Sequence, residues 1–497
     1  MNPVIRTRQG DVRGTAARGV NVFLGIPYAM PPFGADRLRP PRRVRPWSGV
    51  RDATRVGAKP PQLRPGPEVA ALVPDPAIPG EDCLNLNVWT PGPGAAGLPV
   101  MVWIPGGMFE VGSGASYNGT NFARDGVVCV TINYRVGAEG FLYLADGDAN
   151  RGLLDQVAAL EWVQENIAAF GGDPGNVTIF GESAGAMSVG TLLSMPRARG
   201  LFRRAIAQSG AAHNVSSVAT ARRIGRRLAA MLGVEPSRDA LAALPPDRLV
   251  QAQTELKAEL VAHPDPERWG REMVTSFLPW QPVIDGDVVP APPLERITAG
   301  AAGGIDLIVG TNVDEHRLFL AIGGAIHRVT AEMLGPAAAA YGLPVEPALS
   351  AYRAAYPDAS AGDLLAAIHT DGYWRIPAIR LADAHAGRGA ATFMYEFAWP
   401  SPELDGLVGA CHALEIAFVF DTLDREFAPM AGPLLGPAPP QRLADAMHAA
   451  WVSFAARGEC GWPAYEPPRR ATLRFDTTSR VVDDPRSTER ALWEGVR

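Results

Sequence analysis

An α/β fold, with a central and mostly parallel sheet flanked by helices, is what this sequence predicts, and three observations carry the expectation. Short β-like runs alternate with helical ones through the first half of the chain. Residues 100–104 (VMVWI) and 127–134 (VVCVTINY) are nearly unbroken apolar or β-branched runs, as strands covered on both faces require. Between Gly152 and Phe170, the apolar residues Leu153, Val157, Leu160, Val163, Ile167 and Phe170 recur every three or four positions. Gly171, Gly172 and Pro174 then stop that pattern, so it predicts an amphipathic helix.

The remaining elements follow in order. NVTIF predicts a short strand ending at Phe180, and GESAGAMSVGTLL after it reads as a turn entering a helix. Residues 211–279 and 331–386 are rich in Ala, Arg and Leu at helical spacing, and both are expected to be helical insertions beside the sheet. Residues 305–309 (IDLIV) and 392–397 (TFMYEF) are expected strands, and residues 443–456 around Trp451 a late helix. The Pro/Gly clusters at residues 60–79 and 429–440 read as surface loops rather than linkers. No internal repeat is visible, so one continuous domain over residues 1–497 is the simplest organisation.

Composition narrows the function classes. The 497 residues are 47% hydrophobic and 20% charged, which is ordinary for a globular chain. The formal net charge is −6, and no run of five basic residues occurs, so the electrostatic footprint of a nucleic-acid or anionic-membrane binder is missing. The expected partner is a small molecule, and the chain is expected to act as a monomer or homodimer. Cys83, Cys129, Cys411 and Cys460 stand too far apart for a zinc site or a dithiol pair, so they read as free thiols. The first residues lack an apolar stretch after a basic start, and no window reaches eighteen uncharged apolar residues. Both point to a soluble, cytoplasmic protein.

Gly181-Glu182-Ser183-Ala184-Gly185 fits G-x-S-x-G and lies between an expected strand and an expected helix, where an exposed serine nucleophile belongs. The turn is so tight that the flanking positions must be small, which explains the glycines. A helix N-terminus there also aims free N–H groups at developing negative charge.

A serine alcohol needs a base, and the base needs a carboxylate that fixes its tautomer. In this arrangement the chain order is Ser, acid, His. His327, His369, His385, His412 and His448 all qualify by order. His448 falls inside a helical pattern and His385 in an Ala/Arg-rich segment, whereas His412 sits on a loop after Gly409, beside an apolar run. For the acid, Asp314 and Glu315 both follow the strand in IDLIVGTNVDEH, and physics at this level leaves the two open.

Taken together, FLGIPYAMPPFGADRLRPP, EDCLNLNVWTP, TINYRVGAEGFL, GLLDQVAALEWVQENIAAFGGDPGNVTIFGESAG, GTNVDE, GACHALEIAFVF and the tail WPAY with TLRFD resemble, in order, the type-B carboxylesterase family. That group includes bacterial para-nitrobenzyl esterases and the cholinesterases. The resemblance implies an α/β-hydrolase fold and a serine carboxylesterase that works through an acyl-enzyme without a cofactor or metal. It makes Ser183 the nucleophile, Glu315 the acid and His412 the base. It also makes the backbone N–H groups of Gly107, Met108 and Ala184 the oxyanion hole, with Glu182 lining the pocket and Ser209 near the acid.

Three departures from the family pattern stand out. Pro105 replaces a usual histidine or aromatic residue, Met108 a usual glycine or alanine, and His316 a usual glycine. Met108 is expected to narrow the acyl pocket, and His316 to crowd the triad. Cys83 matches a position that is disulfide-bonded in secreted relatives, without a second cysteine nearby. Two other readings of the same residues are a specialised hydrolase or cyclase acting on a carbamate, amide, lactone or thioester, and a catalytically silent binding protein of the same fold.

Overall fold

The computed structural model describes residues 2–64, 66, 77–424 and 432–496, so part of each Pro/Gly cluster lies outside the described residues. Eleven strands form the main sheet: β1 (Thr15–Ala17), β2 (Val20–Pro27), β3 (Asn85–Thr90), β4 (Leu98–Ile104), β5 (Val128–Ile132), β6 (Gly172–Glu182), β7 (Arg204–Gln208), β8 (Asp306–Asn312), β9 (Thr392–Phe397), β10 (Ala471–Phe475) and β11 (Arg480–Asp483). Their spatial order is β11-β10-β9-β8-β7-β6-β4-β5-β3-β2-β1. From β5 across to β10 every pairing is parallel, and the strands outside that block pair antiparallel. This is the α/β-hydrolase architecture, and β6 occupies its middle.

Side-chain alternation divides the strands between two cores. Val100, Val102 and Ile104 of β4, with Val177 and Ile179 of β6, face one core; Met101, Trp103 and Phe180 face the other. Helices α1 (Arg151–Asn166) and α2 (Ala184–Leu192) bury Leu153, Leu160, Val163, Ala186 and Val189 against the first face. On the second face α4 (Gln441–Arg457) buries Met447, Trp451 and Phe454. Covering both faces is what makes the central strands read as continuous apolar runs.

The expected helix at residues 152–170 is observed as α1 followed by a 3₁₀ turn, Ile167–Phe170, and Gly171 at φ 90° ends it in the left-handed region. The first insertion includes α3 (Pro246–Ala262), and the second runs through Ala361–His369, a π-helical segment Thr370–Arg375 and Ile376–His385. Among the described residues no helix is long and apolar enough to cross a membrane. All four cysteines are free and buried.

Candidate active site

Loops at the carboxyl ends of the parallel strands converge above the sheet, as the topology of a doubly covered parallel sheet requires. Ser183 follows β6 with φ 57° and ψ −125°, and α2 starts at the next residue. That backbone is held by its own N–H donating to the Gln208 carbonyl at 2.9 Å and by its carbonyl accepting the Met187 N–H at 2.9 Å. The glycines of the pentapeptide are steric necessities. A Cβ on Gly181 would lie 2.6 Å from the Ile104 carbonyl oxygen, and one on Gly185 would overlap the same oxygen.

β4 ends at Ile104 and delivers the loop Pro105–Gly112 against this turn. A Cβ on Gly106 would stand 2.5 Å from the Glu182 carbonyl oxygen and 3.1 Å from Ser183 Cβ, so the two backbones are in contact there. Gly107 (φ 112°) and Met108 (φ 58°) follow, and the carbonyl of Gly107 accepts the N–H groups of Glu110 and Val111. Pro105 is accommodated, its carbonyl accepting a hydrogen bond from Tyr134 Oη at 2.8 Å. Met108 departs from the expectation of an inward side chain: it is 38% exposed, with Sδ 3.6 Å from Lys257 Nζ, so it stands at the surface.

The structure separates the two acidic candidates after β8. Asp314 binds the backbone of Ala410 through both its N–H and its carboxylate, which ties down the loop ahead of His412. Glu315 is fully buried, and its Oε2 lies 2.7 Å from His412 Nδ1, while its Oε1 accepts the Asn312 N–H at 2.8 Å. The far nitrogen of the ring, Nε2, lies 3.0 Å from Glu182 Oε1. Ser209, at the end of β7, donates its N–H to Gly310; its buried hydroxyl makes no hydrogen bond among the described residues.

The other histidines are occupied elsewhere. His448 Nδ1 bonds the Val419 carbonyl, His385 Nδ1 pairs with Thr392 Oγ1, and His327 lies in the 3₁₀ stretch Ile322–Arg328. His369 Nδ1 pairs with Tyr341 Oη and its ring stacks on His316 at 4.5 Å. Burial, with His369 and His412 nearby, pushes His316 well below the ordinary imidazole range, so it packs as a neutral ring.

Electrostatics concentrate on His412. Burial works against its charged form, but the Glu182 carboxylate and the bond and charge of Glu315 outweigh it and push the imidazole up to about 9. Burial pushes Glu182 well above the usual carboxylate range; His412 opposes that rise, and Glu415 and Glu315 add to it. Two buried carboxyls thus contact one imidazole, and Glu415 adds its charge.

Several of these residues carried no signal that sequence reasoning used. Glu415 is buried, accepts from Gln208 Nε2 at 3.1 Å and Asn312 Nδ2 at 2.7 Å, and is pushed up to about 7 by burial and then by Glu315. An acidic residue inside the apolar run ALEIAFVF was the available clue. Trp374, carried by the π-helical segment, lies 4.2 Å from the His412 ring, and Phe319 lies 5.3 Å from it. Nothing in the local pattern announced either position.

Residues 1–493 match the family model described as Carboxylesterase family. The chain is 38% identical to the para-nitrobenzyl esterase of Bacillus subtilis (strain 168), covering 98% of this chain and 97% of that protein. It is 36% identical to the phenmedipham hydrolase of Pseudarthrobacter oxydans over 97% and 94%. Among solved structures, a Geobacillus stearothermophilus carboxylesterase superposes with a TM-score of 0.85 at 40% identity, covering 99% of each chain.

Proposed function

Since the chain belongs to the carboxylesterase family and is a serine hydrolase of carboxylic esters, we propose that Ser183, His412 and Glu315 are its catalytic triad. The observation that carries this reading is the 2.7 Å bond between His412 Nδ1 and Glu315, with the other ring nitrogen, Nε2, 3.0 Å from Glu182, the residue directly before Ser183. Glu315 fixes the tautomer that leaves Nε2 free to take a proton. In the resting geometry Nε2 faces the carboxyl of the residue directly before the nucleophile. Catalytic hydrogen bonds commonly tighten only once substrate binds.

Ser183 Oγ attacks the ester carbonyl as His412 removes its proton, and the resulting oxyanion is received by the N–H groups of Gly107, Met108 and Ala184. His412 returns the proton to the departing alcohol, and water then repeats the sequence on the acyl-enzyme. Removing one such oxyanion donor typically costs about 3–4 kcal/mol, so the loop after β4 matters nearly as much as the triad. Glu182 faces the imidazolium formed during attack and stabilises it, and Ser209 fixes β7 against β8 beside the acid through its backbone.

The sheet draws its strands from residues 15 to 483, which supports reading residues 1–497 as one domain. Four free, buried thiols support a reducing compartment, the cytoplasm, as its place of action. The test is hydrolysis of para-nitrophenyl esters together with labelling by an organophosphate. One equivalent should attach at Ser183, and Ser183→Ala should lose both labelling and turnover; a Ser183→Ala protein that still turns over refutes the assignment.

A further inference from the structure

The loop after β4 holds three consecutive positive φ angles: Gly107 at 112°, Met108 at 58° and Phe109 at 58°. Glycine adopts such angles freely, but Met108 and Phe109 do not, so the surroundings must impose the conformation. Some of what imposes it is apolar or neutral. The Phe109 ring packs on Phe141 at 4.9 Å, the Phe109 carbonyl accepts the Gly137 N–H, and the Gln62 side chain brackets both backbone groups of Gly112.

Glu110 is the charged member of the loop. Its N–H closes the turn onto the Gly107 carbonyl at 2.9 Å, and its side chain is buried. Oε1 makes no hydrogen bond among the described residues, while Oε2 accepts a 2.6 Å hydrogen bond from Lys257 Nζ. Lys257 is one of only two lysines in the chain and belongs to α3, in the first helical insertion. One turn earlier on the same helix, Gln253 Oε1 accepts the Ala138 N–H at 2.8 Å, next to the glycine that binds Phe109. The Gln253–Lys257 face of α3 therefore docks on the loop and on its neighbour together.

We propose that Lys257 is a positioning residue for the reaction: its ammonium neutralises buried Glu110 and so fixes the turn that presents the Gly107 and Met108 N–H groups to the oxyanion. The inference rests on reading those two groups as oxyanion donors. Without the ammonium, Glu110 is a buried carboxylate lacking a counter-charge, and moving it toward water drags the Gly107–Val111 turn with it. Interactions made only in the transition state are then weakened, so the loss falls on kcat rather than KM.

The experiment measures kcat and KM for para-nitrophenyl acetate, and the inhibition constant of an aryl trifluoromethyl ketone that forms a tetrahedral adduct, in wild type, Lys257→Met, Lys257→Arg and the double variant Lys257→Met/Glu110→Gln. Lys257→Met should lower kcat about 10-fold with KM within about twofold, and weaken the ketone by a similar factor. Lys257→Arg should keep activity, and the double variant should recover to within about threefold of wild type, because a neutral amide needs no cation. An unchanged kcat in Lys257→Met, a loss confined to KM, or a double variant no better than Lys257→Met overturns the proposal. Organophosphate labelling of wild type separates the two readings: without labelling at Ser183 the triad assignment itself falls, whereas with intact labelling only the role of Lys257 does.

Discussion

His412 Nε2 faces Glu182 Oε1 across 3.0 Å, so the imidazole lies between two buried carboxyls, Glu182 at one nitrogen and Glu315 at the other. A base flanked in this way holds its proton more tightly than a free imidazole.

The pH dependence follows with a definite sign. His412 accepts a proton only when neutral, and its pKa is pushed up to about 9, so kcat/KM should climb as pH rises toward that value. Glu182→Gln removes the carboxylate that does most to raise the His412 pKa, and the rising limb should move to lower pH. Steady-state pH profiles of the two proteins check this, and coincident profiles would show that Glu182 does not act on the base.

Glu315→Gln should keep the fold and lower kcat by about 10⁴-fold, since an amide at Oε2 offers the ring the wrong tautomer partner. His412→Ala should cost at least as much. Stopped assays at high enzyme concentration read these residual rates; a loss under about tenfold in Glu315→Gln would remove it from the triad.

Asn312→Ala should destabilise the protein. Asn312 Nδ2 donates to the Cys411 carbonyl and to Glu415 Oε2, both at 2.7 Å and both buried. Leaving two buried acceptors unpaired costs about 1–3 kcal/mol each. Denaturant melts should show the loss, and activity should fall with it because the lost Nδ2 bond anchors the Cys411 carbonyl, directly before His412.

Met108→Ala should leave chain-length preference over para-nitrophenyl esters unchanged and every rate within a few-fold of wild type. The donor at this position is a backbone group, and the side chain is exposed beside Lys257. A uniform drop across all chain lengths would mean that the substitution disturbs the loop instead.

Gly185→Ala should fold poorly, because its Cβ would overlap the Ile104 carbonyl, and neither backbone segment has room to retreat in a packed sheet. Soluble yield and melting temperature report the effect.

Part of the site is legible in the sequence itself. The glycines around Ser183 are local sterics, the helix at Arg151–Asn166 is a 3.6-residue period, and strands β4 to β6 are apolar runs; each leaves its mark within about fifteen residues of chain. The residues alone left Asp314 and Glu315 open, and family resemblance, rather than spacing, favoured Glu315. The folded chain gives the two neighbours different tasks, with Asp314 tying the Ala410 backbone and Glu315 reaching the ring.

From its own pattern, then, the sequence determined the order of elements, the tight serine turn and the parallel sheet, because hydrophobic period and glycine sterics act over short stretches. Tertiary structure alone decided that Glu182 faces His412, that Glu415 sits beneath Asn312, that Trp374 covers the imidazole and that Lys257 reaches Glu110. Those partners lie far apart along the chain, by 103 residues for Asn312 and Glu415 and 147 for Glu110 and Lys257. Contacts of that kind arise from packing whole elements together, which leaves no periodic trace in the chain.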